Sequence, residues 1–123
     1  QSLIALSTME AEYVSLSMCM RDLIPLCRVL QDLCEVFDLG EAGVSAHSTV
    51  FEDNSAALTL ANSPQMTPRS KHIALRYHFF RSEVASGNIK VVAISNADQI
   101  ADVFTKGVTF QKFEYLREKL MGW

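Results

Sequence analysis

Apolar residues stand at positions 13, 16, 20, 23, 27, 30, 34 and 37, alternating steps of three and four that mark one face of a long α-helix. The pattern predicts a helix over residues 7–37. Ser7 with Glu10 three residues on has the form of a capping box, the serine oxygen accepting a free backbone N–H while the glutamate reaches back to the cap. Pro25 lacks the N–H that would bond to residue 21 and crowds that turn, so a kink or a break is expected there. Leu39 and Gly40 supply a stop. Residues 1–6 read as the end of a strand, and residues 41–46 as a polar loop.

Further along, the period shortens. Residues 47–52 are rich in β-branched and aromatic side chains and read as a strand that ends on Asp53-Asn54-Ser55. Asn54 and Ser55 can cap a helix over residues 56–61, which Ser63-Pro64 ends. After a loop over residues 65–71, Ile73, Tyr77, Phe80 and Val84 recur at steps of four, three and four and predict a helix to about residue 86. Gly87-Asn88 stops it. Residues 89–94 form a strand apolar on both faces, the pattern of a parallel sheet covered on both sides. Ser95-Asn96 is expected to open another helix, with Asn96 and Gln99 as a capping pair and Ile100, Val103 and Phe104 facing inward. Gly107 ends it, and Phe110, Phe113, Leu116 and Leu120 mark a last amphipathic helix. The order α-β-α-α-β-α-α places the chain in the α/β class.

Composition narrows the field. A chain of 123 residues with 49% apolar content and a mean hydropathy of +0.12 can bury a real core as one domain, residues 1–123. The net charge of −3 leaves no global basic footprint, so any nucleic-acid contact must rest on a local patch or on bound cations. Cys19, Cys27 and Cys34 fall within one helix, with neither a zinc spacing nor a disulfide framework, which fits a reducing, intracellular setting, cytoplasmic or nuclear. No apolar run reaches membrane-spanning length, so no membrane contact is expected. The chain opens on Gln1 rather than Met, as a piece of something longer would.

Candidate chemistry lies in three acids. Glu12 sits at the rim of the buried stripe, where a carboxylate either points into a sheet edge or is simply solvated. Asp53 lies at the C-terminal end of a strand just before a helix N-terminus, where ligands gather in open α/β sheets; it can equally be a plain helix cap. Asp102 stands on the first turns of its helix, and Asp98, the competing acid, is explained by the helix dipole. Clustered carboxylates repel unless a hard cation lies between them, and an acidic cluster is how proteins hold Mg²⁺. Two such ions, about 3.5–4 Å apart, can activate a water and stabilise the leaving oxygen of a phosphodiester. Arg69, Lys71, His72 and Arg76 form a small basic group, either a solvated face or a nucleic-acid contact.

Four stretches in this order, Ala5 to Tyr13, Glu52 to Ala56, Arg69 to Ile73 with Arg76 to Phe79, and Gln99 to Lys106, resemble the ribonuclease H domain of Ty1/copia-type retrotransposon Pol polyproteins. The resemblance covers nearly the whole chain. It implies a ribonuclease H-like fold in which Glu12, Asp53 and Asp102 match three of the four metal-binding acids. It also implies hydrolysis of the RNA strand of an RNA/DNA hybrid with two Mg²⁺ or Mn²⁺ ions. The family's domain begins with three antiparallel strands, the first carrying the aspartate that bridges both metals, and nothing here matches that strand. The fold expected is therefore a truncated one, inactive or weakly active alone, with the strand ending at Asp53 left exposed along one edge. A partner chain or a second copy is expected to cover that edge. A different function is a retained, non-catalytic remnant that serves as an oligomerising or nucleic-acid-binding module.

Overall fold

The computed structural model describes residues 8–39, 48–63, 73 and 75–123. The apolar stripe becomes helix α1 (Thr8–Val36), which runs through Pro25 without a break. Its first half follows the predicted face, with Tyr13, Leu16, Met20 and Ile24 buried. The second half departs from it: Leu30 and Phe37 are exposed, as are Leu26, Val29, Leu33 and Val36 beside them. The helix ends through Asp38, whose φ of 48° is the left-handed conformation that closes many helices. Ser7 of the expected capping box, Gly40, the lead-in strand and the loop over residues 41–46 lie outside the described residues.

Strand β1 (Ser48–Glu52) pairs in parallel with β2 (Ile89–Ala93), with Val50 opposite Val91 and Glu52 opposite Ala93. Between them run α2 (Ser55–Asn62), a 3₁₀ turn (Leu75–Tyr77) and α3 (Arg81–Ala85). Such a crossover is what parallel strands require. The predicted helix to residue 86 is thus two short pieces rather than one. Its inward side is nonetheless as expected: Ile73 and Phe80 are buried, and Tyr77 and Val84 pack against the same core. Gly87, at φ 81°, turns the chain from α3 toward β2 in a conformation an L side chain would strain.

One core joins Tyr13, Leu16, Met20 and Ile24 of α1 to Ala57, Leu60 and Ala61 of α2 and to Ile89 and Val91 of β2. Asn62 fastens α2 to the sheet by donating from Nδ2 to the Val91 carbonyl at 3.2 Å. In the core, the Tyr13 hydroxyl lies 2.8 Å from His78 Nδ1, and its ring packs on that of Phe80 with centroids 5.5 Å apart. The sheet is covered on one face only: Thr49, Phe51 and Lys90 are exposed among the described residues. This corrects the expectation of a strand buried on both sides.

The last predicted helix pair also differs from expectation. Residues 95–98 close a turn in which Ser95 Oγ donates to Asp98 Oδ2 at 2.7 Å, and no Asn96–Gln99 cap forms. Only the single turn α4 (Asp102–Thr105) is helical, and Phe104 points outward at 73% exposure. Asp98 does not sit at a helix N-terminus; it receives Tyr115 and Lys119 of α5 (Phe110–Met121), anchoring that helix. Leu116 is fully buried, while Phe110, Phe113 and Leu120 remain exposed. No described helix is long and apolar enough to cross a membrane.

Candidate functional site

The C-terminal end of β1 is where charge collects. Glu52 is the last strand residue and is buried; Asp53 follows it, and Asn54 then caps α2 by accepting from the backbone N–H groups of Ala56 and Ala57, each at 3.0 Å. The cap fixes the chain's direction just beyond the two acids, and the Asn54 N–H donates back to Glu52 Oε1 at 2.9 Å. From across the core, the second turn of α1 brings Glu12. Carboxylate oxygens of Glu12, Glu52 and Asp53 lie within 4.8 Å of one another, a grouping compatible with a cation.

Glu52 is the member that sequence reasoning missed. The one signal available in the sequence is its adjacency to Asp53 at a strand end, where the chain turns and the alternation of faces lapses. Burial raises the Glu52 carboxyl above its ordinary value, opposed by the Asn54 N–H and reinforced by the negative charges of Glu12 and Asp53.

Asp102 lies beside this group rather than within it. Its side chain is only 5% exposed, and each oxygen is taken by an ammonium: Oδ1 by Lys106 Nζ and Oδ2 by Lys112 Nζ, both at 2.8 Å. Those two lysines, Lys106 first, hold the Asp102 carboxyl below its ordinary value. Lys106 Nζ also approaches Asp53 Oδ2 at 3.8 Å, so a single ammonium links Asp102 to the group at the strand end. In turn Asp102, then Asp53 and Glu12, raise the Lys106 ammonium. The donor set fits a hard cation: every candidate ligand is a carboxylate oxygen, and a positive charge already stands among them.

Of the basic candidates, Arg69, Lys71 and His72 lie outside the described residues. Arg76 is exposed, donates to the Tyr77 hydroxyl at 3.0 Å and stacks over that ring with its guanidinium carbon 4.9 Å from the centroid. It lines an open groove with Tyr77, Phe79 and Arg21, a cation from α1 that the sequence did not single out.

The chain is 35% identical over 114 residues to the retrovirus-related Pol polyprotein from transposon RE2 of Arabidopsis thaliana, a match covering 93% of this chain and 7% of that protein. It is 35% identical over 119 residues to the retrovirus-related Pol polyprotein from transposon TNT 1-94 of Nicotiana tabacum, covering 96% of this chain and 8% of that protein. The corresponding polyprotein from transposon RE1 of Arabidopsis thaliana is 32% identical over 114 residues. The chain therefore spans less than a tenth of the length of the curated relatives it matches. No protein-family profile matches it, and neither does any solved structure.

Proposed function

Starting from the relation of this chain to copia-type retrotransposon Pol polyproteins, we propose that it is the C-terminal part of a ribonuclease H-like domain whose parent hydrolyses the RNA strand of RNA/DNA hybrids by two-metal catalysis. The observation that carries this reading is the gathering of Glu12, Glu52 and Asp53 at the end of a parallel strand, with Asp102 one lysine away. Glu12, Asp53 and Asp102 would hold Mg²⁺ or Mn²⁺. When bound, such ions supply an activated water and charge stabilisation at the leaving oxygen. The protein's own contribution is to fix the carboxylates: the α2 cap aims Asp53, and the packing of Tyr13 and Leu16 sets the depth of Glu12. Arg76, with Arg69, Lys71 and His72, would contact the phosphates of the hybrid.

The test is cleavage of a labelled RNA/DNA hybrid with Mg²⁺ or Mn²⁺, beside Asp53→Asn. Weak, metal-dependent cleavage that the substitution abolishes is the expected result. Cleavage that persists in the variant overturns the assignment of Asp53.

A second reading, a non-catalytic module that associates through protein surfaces, is favoured by one observation: the apolar side of the C-terminal half of α1 is exposed. Among the described residues β1 pairs with β2 alone, which leaves its other edge for a second copy of the chain.

A further inference from the structure

Two lysines share Asp102, and their surroundings differ. Lys112 is held twice: its ammonium donates to Asp102 Oδ2 and, at 2.7 Å, to the Asn96 carbonyl, and its side chain is 29% exposed. Lys106 is 52% exposed and reaches carboxylates alone, Asp102 at 2.8 Å and Asp53 at 3.8 Å. It also stands just past α4 in extended backbone, at φ −131° and ψ 148°, so its side chain can leave without unwinding the helix. Four carboxylates, Glu12, Glu52, Asp53 and Asp102, outnumber these two ammoniums, and an almost fully buried carboxylate needs a compensating charge to remain ionised.

From this we infer that Lys106 is a displaceable counter-cation: it neutralises Asp53 and Asp102 in the metal-free protein and must swing out to solvent when a divalent ion binds them, whereas Lys112 stays in place and positions Asp102. The inference rests on the metal-binding reading given above and deepens it. A divalent ion brings twice the charge of the ammonium to the same oxygens, so exchange is favourable, but the lysine lowers the apparent affinity by competing for them. The protein thereby keeps its acids neutralised when metal is scarce.

The experiment measures Mn²⁺ binding by isothermal titration calorimetry to the wild-type chain, to Lys106→Met and to Lys112→Met. In parallel, the rate of acylation of Lys106 in the wild type is followed by mass spectrometry with and without Mg²⁺. Removing the competitor should tighten Mn²⁺ binding about two- to fivefold in Lys106→Met, a competition of ion-pair size. Lys112→Met should not tighten it, and Mg²⁺ should speed the labelling of Lys106. Binding seen only in Lys106→Met also supports the inference, since the lysine then blocks the site outright. Wild-type binding that is unchanged or weaker in Lys106→Met overturns the inference and leaves the metal reading standing. Absence of Mn²⁺ binding in every protein overturns both. Should Lys106→Met fail to fold, the labelling decides: a Lys106 rate indifferent to Mg²⁺ overturns the inference.

Discussion

At the scale of single residues, the Tyr13–His78 pair makes folding respond to acid. Burial, with the nearby Arg81 charge, lowers the His78 imidazolium below its ordinary value of 6.5. Burial pushes the Tyr13 hydroxyl up to about 12, so it stays protonated as the hydrogen-bond partner of the neutral ring, 2.8 Å from Nδ1. A base whose folded pKa is depressed contributes its full stability above its unfolded value. That contribution falls away as pH drops through 6.5 toward the folded value, because the unfolded chain takes the proton first. Denaturant unfolding at pH 7.5 and 5.5 should therefore show a loss of stability in the wild type. His78→Gln keeps an acceptor for Tyr13 and cannot titrate, so its slope over that interval should be flatter; equal slopes would rule the imidazole out as the source. Legibility at this scale followed chemistry that is local. Asp53 could be placed from its neighbours, since a strand end and a cap lie in adjacent letters. The grouping of Glu52 with Glu12 could not be, because it spans the fold, and neither could the reach of Lys112 to Asp102 from α5, whereas Lys106, the i,i+4 partner of Asp102, lay within local reach.

Elements were legible where their ends are written beside them. Helix α2 begins at Ser55 under an Asn54 cap and stops at Asn62, close to the residues expected from Asn54-Ser55 and Ser63-Pro64. Asn54→Ala removes the acceptor for two backbone N–H groups and should cost about 1 kcal/mol in denaturant unfolding, while Asn54→Ser should recover most of it. A Ser variant no better than Ala would mean that the asparagine acts on the chain's direction at Asp53 rather than as a cap. Elsewhere the spacing of core residues showed which side faces inward but not the hydrogen-bond pattern. Ile73, Tyr77, Phe80 and Val84 all reach the core although a 3₁₀ turn and a short helix replace one continuous helix. The turn at residues 95–98 is held by Tyr115 and Lys119, partners no local window contains. Pro25 leaves α1 unbroken, as the packing of Met20 before it and Cys27 after it allows: Cys27 Sγ meets Ser48 Oγ at 3.1 Å, tying the second half of the helix to β1.

For the whole molecule, the stripe that predicted α1 continues past the core it serves. Its first turns are buried by α2 and the sheet, but farther on its members Leu30 and Phe37 lie exposed, together with Leu26, Val29, Leu33 and Val36 on the adjoining face, Val36 at 76%. Exposed apolar surface of this continuity marks association sites, and the single stripe read from sequence could not show that only half of it has a partner within the described residues. Phe51 is exposed separately, on the open face of the sheet. A second copy offering the same helix face would bury both stripes at once, an isologous contact in which each helix supplies its own complement. The expected result is concentration-dependent sedimentation, with a monomer at low micromolar concentration giving way to a dimer. Val36→Glu and Leu33→Glu each place a charge on this exposed apolar surface at positions already in solvent. They should shift the equilibrium toward monomer by at least about tenfold while changing unfolding by less than about 0.5 kcal/mol, as surface substitutions do. A sharp, concentration-independent monomer in the wild type would leave the exposed stripe without a self-association role. Dimers untouched by both glutamates would instead place the contact on the edge of β1 that has no partner strand among the described residues, where pairing is through backbone groups and side-chain charge matters less.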